Sequence, residues 1–151
     1  SMAHIEVQHQ TYENLKAETS TSTGIRLDFL TPTCFRAGGL DSPLPKPHTM
    51  VRSWLTRWSQ YAPPDLCINV ALVDVARAHL AISGYNLHTA VKDLGYGKQI
   101  GFLGWVNLRV VKAKKVGREM LRHLNVLADY AEFCGTGRKT SQGMGQTRRL
   151  Q

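Results

Sequence analysis

Residues 135–145 are the part of this chain whose composition is best suited to holding an anion. They read Gly-Thr-Gly-Arg-Lys-Thr-Ser-Gln-Gly-Met-Gly, with glycine at Gly135, Gly137, Gly143 and Gly145. Glycine tolerates positive φ, so consecutive N–H groups can turn toward one anion, and the missing side chains allow a phosphate backbone to approach closely. Arg138 and Lys139 add positive charge at the same place, and an arginine can hold a phosphate through two N–H groups. The segment therefore predicts an anion-binding loop.

A helix cap followed by a flexible surface loop is the alternative interpretation of these residues. It accounts for Gly135, which stands where a helix would end in a left-handed residue. It does not account for the second glycine pair or for the cations between the pairs. A nucleotide-binding P-loop is excluded, because the spacing G-x-x-x-x-G-K-[ST] is absent and the segment follows a predicted helix rather than a strand.

The cysteines and histidines show no arrangement typical of a catalytic or metal site. The three cysteines (Cys34, Cys67, Cys134) include no C-x-x-C pair, which predicts neither a disulfide framework nor zinc, and a reducing cytosol is the expected compartment. We interpret Cys134 as a small buried hydrophobe rather than a nucleophile. The histidines are His4, His9, His48, His79, His88 and His123. Of these, His48 is the least implausible catalytic group, although a solvated residue at a helix start explains it better; His123 is expected at the surface, and His79 and His88 in a sheet. No metal and no small-molecule cofactor are expected.

The hydrophobic periodicity predicts the elements that position the loop. Ile25, Leu27 and Phe29 alternate with polar residues, as in a half-buried strand, whereas Trp54 and Trp58 lie on one apolar helical face. The predicted strands cover residues 25–29, 67–92, 99–111 and 146–150, with a bulge near Gly84, and the predicted helices cover residues 51–62 and 115–133. Residues 36–48 are predicted to be a loop, and all three tryptophans, including Trp105, to belong to the core. This order is the α+β, ferredoxin-like (RRM-like) βαββαβ sandwich, a four-stranded antiparallel sheet with two helices on one face.

The predicted domain organisation is simple. Residues 1–2 are interpreted as a remnant of a cloning vector, and residues 3–24 as a leading strand, a short helical turn after Thr11 and a polar connector. Residues 25–151 form the ferredoxin-like domain with its C-terminal glycine-rich loop. The chain has 151 residues, of which 42% are hydrophobic, which is enough for one packed domain. No stretch approaches the ~20 apolar residues that span a bilayer, so no membrane association is expected.

The charge balance favours a polyanionic partner. The net charge is +8, from 19 Lys and Arg against 11 Asp and Glu. Residues 98–122 hold seven Lys or Arg and one acid, and residues 138–151 hold four and none. Phosphates attract such excess cations and release counterions on binding. The distribution therefore indicates nucleic acid.

Five stretches carry a resemblance to CRISPR proteins. Residues 135–145 resemble the glycine-rich motif of the repeat-associated RNA-binding (RAMP) superfamily, with Met144 a good match and Thr136 a weak one at a position that is usually apolar. Residues 27–36 (LDFLTPTCFR), 51–58 (VRSWLTRW) and 101–106 (GFLGWV) resemble the Cas6 endoribonucleases in particular. Residues 127–134 lead into the loop as that family's second helix does. The resemblance extends over roughly residues 5–149.

The resemblance implies a role in antiviral defence by RNA processing. Cas6 proteins consist of two ferredoxin-like halves and cut the repeat of a CRISPR precursor transcript without metal. This chain resembles the second half, whereas the catalytic histidine usually belongs to the first, so the catalytic residues are expected outside this sequence. The RNA contacts implied are the four glycines of the loop with Arg138, Lys139 and Arg36. Lys46, Lys92 and Lys98 are secondary candidates, and Tyr96, at the hairpin turn, either stacks on a base or is an ordinary turn residue.

Three functions remain open from the sequence. The first is part of an endoribonuclease in the prokaryotic cytoplasm, with CRISPR repeat RNA as substrate. The second is a non-catalytic RNA-binding or scaffold module that works with other CRISPR effector or adaptation proteins. The third is a ferredoxin-like domain with an unrelated basic surface.

Overall fold

A computed structural model describes residues 11–17 and 20–150. Residues 11–16 are helical and form α1. The later elements are β1 (Gly24–Thr33), β2 (Phe35–Ala37), β3 (Leu40–Ser42), α2 (Pro47–Tyr61), α3 (Leu72–His79), β4 (Leu80–Asp93), β5 (Lys98–Val110), α4 (Ala113–Val116), α5 (Arg118–Cys134) and β6 (Thr147–Leu150), with 3-10 turns at Pro64–Leu66 and Thr140–Gln142. The strand predicted at residues 4–8 and the vector remnant lie outside the described residues.

The main sheet confirms the predicted fold class. Its four strands run in the order β4-β5-β1-β6, and every neighbouring pair is antiparallel. Apart from the β4–β5 hairpin, strands of this sheet that follow each other in the chain are separated in the sheet, as in the split βαβ arrangement. The predicted bulge is also present, because the register of β4 against β5 shifts between Ile82 and Gly84.

Alternation along β1 places the core on one face of the sheet. Ile25, Leu27 and Phe29 are buried there, and α2 and α5 contact each other over that face. Trp54 and Trp58 of α2 are 0% exposed, as predicted. The helix α5 ends at Gly135, whose φ of +73° suits the glycine that the sequence places there.

The predicted strand at residues 67–92 is wrong in its first half. Leu72–His79 is the helix α3, and Leu72 and Ala76 are buried in the core. The β-branched residues of this stretch favour a strand locally, but packing against α2 decides the outcome. His79 is consequently the last residue of a helix rather than part of the sheet, whereas His88 lies in β4 as predicted.

Four smaller predictions also need correction. The loop at residues 36–48 contains a two-stranded hairpin, β2 and β3, which turns at Gly38 with φ +63°. The helix predicted at residues 115–133 is interrupted at Gly117, so α4 and α5 are separate. His123 is only 6% exposed rather than at the surface, because it faces the core from α5. Trp105 is half-buried on the other face of the sheet, where the guanidinium carbon of Arg26 lies 4.3 Å from its ring centroid.

No helix among residues 11–17 and 20–150 is both long enough and apolar enough to span a bilayer.

Candidate nucleic-acid interface

The glycine-rich loop is bonded to the end of β1 through its backbone. The N–H of Arg138 donates to the carbonyl of Cys34 at 3.0 Å, and the N–H of Gly145 donates to the carbonyl of Pro32 at 3.0 Å. Within the loop, the N–H of Thr136 donates to the carbonyl of Gly145 at 2.9 Å. The two glycine-containing ends of the loop are thus closed against each other and against residues 32–34.

Two of the glycines are required by these close approaches. A Cβ on Gly137 would lie 2.2 Å from the carbonyl oxygen of Cys34, and a Cβ on Gly145 would lie 2.0 Å from that of Thr136. Both have positive φ, +80° and +69°. Gly143 differs, because the nearest atom to its Cβ position is the Lys92 ammonium at 3.7 Å, although its φ is also positive at +88°.

The helix α2 holds the loop from the other side. The indole N–H of Trp54 donates to the Thr136 hydroxyl at 2.9 Å, and the Ser53 hydroxyl accepts the N–H of Gly137 at 2.9 Å. The guanidinium of Arg57 donates to the Ser53 hydroxyl and to the carbonyl of Gly137, both at 2.6 Å. Thr136, the weak match in the glycine motif, is 0% exposed and bonded to the Thr147 hydroxyl at 2.7 Å. A polar residue is satisfied at this position because the indole of Trp54 reaches it.

These bonds change what the loop offers to an anion. The N–H groups of Thr136, Gly137, Arg138 and Gly145 donate within the protein. They are consequently not directed at an external ligand, and the exposed part of the loop is residues 141–143. Lys139, which precedes this exposed tip in the chain, has a left-handed backbone conformation with φ +58°.

An open groove with a volume of about 490 Å³ lies between the loop, α2 and the β2–β3 hairpin. Its lining includes four arginines, namely Arg36, Arg52, Arg57 and Arg138. No carboxylate is present among the described residues that line it. Arg36 and Arg138 were predicted from the sequence, and the structure brings them together.

One carboxylate, that of Asp41, stands at the edge of the groove. Asp41 on β3 pairs in register with Arg36 on β2, and the Arg36 Nε lies 3.3 Å from its carboxylate. The Arg138 guanidinium donates to the same carboxylate oxygen. In the described part of the chain, no carboxylate lies within ion-pair distance of Arg52, which is exposed.

The tip of the β4–β5 hairpin contacts the tip of the loop. The Tyr96 hydroxyl donates to the side-chain carbonyl of Gln142 at 2.7 Å, and the Lys139 ammonium lies 3.3 Å from the Gln99 side-chain oxygen and 5.6 Å from the Tyr96 ring centroid. Lys92 lies beside Gly143. Tyr96, at this hairpin tip, has a hydrogen-bond partner and is 72% exposed.

The remaining candidates, Cys134, His48 and Lys46, are not among the described residues that line the groove. Burial raises the pKa of the Cys134 thiol to about 12, against a smaller opposing effect of Arg57, so the thiolate is scarce at neutral pH. Burial also lowers the pKa of His48 at the start of α2, with Arg77, Arg52 and Lys46 adding to the effect. Lys46 lies on a second, largely apolar groove between residues 43–46 and β4.

Sequence reasoning missed Arg52, Arg57 and Asp41. Arg52 and Arg57 lie on the polar side of α2, where their spacing indicates only a solvated face. The available signal was that both belong to residues 51–58, one of the stretches with a family resemblance. Asp41 gave no signal, since its neighbours Arg36 and Arg138 are 5 and 97 positions away in the chain.

One packing unit around the loop is formed by three of the stretches that carried the resemblance, namely residues 27–36, 51–58 and 101–106. Residues 27–36 supply the carbonyls of Pro32 and Cys34, and residues 51–58 supply Ser53, Trp54 and Arg57. Gly101 is also required, because a Cβ there would lie 2.5 Å from the backbone nitrogen of Thr33.

Several solved structures of Cas6 proteins are similar to this chain. Thermus thermophilus Cas6 is 30% identical with a TM-score of 0.82 over 92% of this chain and 57% of that chain. A Cas6 product complex is 25% identical with a TM-score of 0.81 over 93% of this chain and 56% of that one. A Cas6 substrate mimic complex is also 25% identical, with a TM-score of 0.78. This chain thus spans a little over half the length of these relatives.

More distant matches show the fold alone. A Cas6-RT-Cas1–Cas2 complex is 12% identical with a TM-score of 0.56. No individually curated protein sequence matches significantly.

The family model for the CRISPR-associated endoribonuclease Cas6 matches residues 27–147. These residues include most of β1 and the whole of α2, the β4–β5 hairpin, α5 and the glycine-rich loop. Because the match covers most of the sequence and coincides with the elements that build the basic groove, the chain belongs to the CRISPR-associated endoribonuclease Cas6 family.

Proposed function

We propose that this chain binds CRISPR repeat RNA as part of a metal-independent endoribonuclease that matures precursor CRISPR RNA. The observation that carries the proposal is the arginine groove beside the glycine-rich loop, built from the stretches that mark the Cas6 family. The related structures described as product and substrate mimic complexes support an RNA substrate for those proteins. RNA-binding residues are proposed at Arg36, Arg138, Lys139 and the loop tip at Gly143.

The four glycines have different roles in this proposal. Gly135, Gly137 and Gly145 are buried and shape the loop, so their contribution to RNA binding is to position Arg138 and Lys139. Gly143 is exposed and leaves room for a phosphate beside the Lys92 ammonium. The interaction is charge-assisted rather than a cradle of backbone N–H groups.

The proposed reaction is attack by a ribose 2′-hydroxyl on the adjacent phosphorus. The hydroxyl proton passes to a base as the new O–P bond forms. The bond from phosphorus to the 5′ oxygen breaks, and that oxygen takes a proton from an acid. The products are a 2′,3′-cyclic phosphate and a 5′-hydroxyl, so the reaction needs no redox partner. The groove arginines would neutralise and orient the phosphates near the reacting one, and the base is proposed to lie outside this sequence.

The proposal also covers the binding partners of this chain and its location in the cell. The chain would act in the prokaryotic cytoplasm on repeat RNA and together with other CRISPR effector or adaptation proteins. A-form RNA is recognised mainly through phosphates and 2′-hydroxyls, which suits a basic groove of this kind.

A cleavage assay in EDTA tests the proposal. End-labelled repeat RNA is incubated with this chain and with a full-length family member whose second half is this sequence. We expect both to bind and only the full-length protein to cut, and a 2′-deoxy substitution at the cut site should abolish the cut. Binding without cleavage by either protein would instead support a non-catalytic scaffold, and absence of binding would reject the RNA interface.

Removal of two loop cations tests the interface itself. The Arg138→Ala/Lys139→Ala variant should bind repeat RNA more weakly, and its plot of log K against log salt should be flatter by about two, one per lost phosphate contact. The matched control is Lys114→Ala/Lys115→Ala, which loses the same charge in α4. That helix adjoins the start of α5, whose 17 residues at ~1.5 Å rise place it about 25 Å from the loop. If both variants lose the same RNA affinity, the effect comes from the lower net charge and not from the loop.

A further inference from the structure

An internal anion, the Asp41 carboxylate, stands at the edge of the basic groove. Arg36 and Arg138 approach it from different elements, β2 and the glycine-rich loop, and converge on the one Asp41 carboxylate. Carboxylates and phosphates are the two anions that match the forked donors of a guanidinium. Asp41 therefore occupies the place that a phosphate would take between these two arginines.

The exposures of these side chains allow an exchange of anions. The side chains of Arg36, Asp41 and Arg138 are 51%, 22% and 31% exposed. Ion pairs that are this accessible to water contribute little to stability, so fold stabilisation explains the arrangement poorly. The β2–β3 hairpin that bears Asp41 has three residues in each strand and pairs only with itself in a separate two-stranded sheet. A small movement of this hairpin would separate Asp41 from Arg138, and a rotation of the Asp41 side chain would also free Arg36, which lies on the same hairpin.

We propose that the groove is a phosphodiester-binding site in which Asp41 is the competing anion, displaced from Arg36 and Arg138 when an RNA phosphate binds. This inference rests on the proposed RNA-binding function and adds a selectivity device to it. A single free phosphate must displace the Asp41 carboxylate and gains no further contact with the groove. A continuous RNA strand also reaches Arg52 on the opposite side of the groove, which has no carboxylate partner in the described part of the chain. The groove consequently favours a strand of several phosphates over a single free one.

Arg57 is the fixed member of the groove. Its guanidinium is already engaged by Ser53 and by the carbonyl of Gly137. It contributes positive charge without moving and couples the loop to α2. For the same reason it is unsuited to a binding test, since its removal would disturb the loop.

The first experiment removes the competing anion. Asp41→Asn keeps the side-chain size and is compared with Asp74→Asn, which breaks the exposed Asp74–Arg77 pair on α3. We expect Asp41→Asn to bind labelled repeat RNA about tenfold more tightly at low salt, which corresponds to about 1.4 kcal/mol. Its salt dependence should also be steeper, and its discrimination between repeat RNA and inorganic phosphate as a competitor should be smaller. Asp74→Asn should match the wild type.

The second experiment does not depend on Asp41. Arg52→Ala removes an exposed cation of the groove and is compared with Arg118→Ala, an exposed cation at the far end of α5. We expect weaker binding and a salt slope lower by about one for Arg52→Ala only. Thermal unfolding of every variant confirms that each is folded.

The outcomes separate this inference from the proposed function. RNA binding by the wild type that is unchanged or weakened in Asp41→Asn overturns the displacement and leaves the proposed function in place. Unchanged binding by Arg52→Ala overturns the groove as the site. Failure of the wild type to bind any RNA overturns the proposed function and this inference with it.

Discussion

At the scale of single residues, the glycines of residues 135–145 do a different task from the one their sequence suggests. Glycine content indicated a cradle of N–H groups, whereas Gly137 and Gly145 are needed because the carbonyls of Cys34 and Thr136 pass where a Cβ would stand. The place of the special backbone was predictable from composition. The neighbouring carbonyls were not, because they come from a distant strand end and from the opposite end of the same loop.

Alanine substitution should separate the packed glycines from the exposed one. We expect Gly145→Ala to lower the free energy of unfolding by roughly 2–4 kcal/mol, since a Cβ would lie 2.0 Å from a carbonyl oxygen and the positive φ adds strain. Gly143→Ala, whose Cβ would make only an ordinary contact with the Lys92 side chain at 3.7 Å, should lower it by only about 1 kcal/mol from φ strain alone. Urea unfolding monitored by tryptophan fluorescence measures both. Equal losses would contradict the role assigned to the close contact.

At the scale of elements, prediction succeeded where a hydrophobic pattern repeats over a long stretch. It failed where tertiary packing overrides the local secondary-structure preference of the residues. The alternation in β1 and the apolar face of α2 predicted both elements and their buried sides. The helix α3 has only 8 residues and two valines that favour strands, yet Leu72, Ala76 and His79 lie one helical turn apart. That spacing was present in the sequence, and the polar residue Asn69, whose side chain accepts the N–H of Ala71, marks the turn into the helix.

The helix α5 contains a buried histidine that makes stability depend on pH. His123 is 6% exposed and its Nδ1 has no hydrogen-bond partner in the described structure. Burial lowers its pKa, Lys16 and Arg122 lower it further, and Glu119 opposes them. The unfolded chain, with a histidine pKa of about 6.5, therefore binds the proton more readily than the folded one.

Acid should consequently destabilise the protein through this residue. The free energy of unfolding is expected to be insensitive to His123 above pH 7.5 and to decrease as the pH falls through about 6.5 and below. In His123→Leu this part of the decrease should vanish, so that the stabilities of variant and wild type converge or cross at pH 5. Denaturant unfolding at a series of pH values measures it. A constant difference between the two proteins from pH 8 to pH 5 would contradict this account of His123.

At the scale of the whole molecule, the stretches that resemble the family are the ones that the fold brings together around the loop. Residues 27–36, 51–58 and 101–106 are far apart in sequence, and all of them contact one loop or its support. Such a constraint is invisible to periodicity, which treats each element alone. The arginine groove arises only when β2, α2 and the loop meet, so its position could not be predicted before the tertiary structure.

The proposal that this chain holds the RNA while the other half of a full-length protein cuts it can be tested through the histidines. No histidine is among the described residues that line the groove. In a full-length protein containing this sequence, His48→Ala and the exposed His88→Ala should therefore leave the single-turnover cleavage rate of repeat RNA within about twofold. Arg52→Ala should instead raise the RNA concentration needed for half-maximal rate. A loss of about 100-fold or more in the cleavage rate of His48→Ala, the size expected for a general acid or base, would place the catalytic base in this half and contradict the proposal that this chain grips the RNA while the other half cuts it.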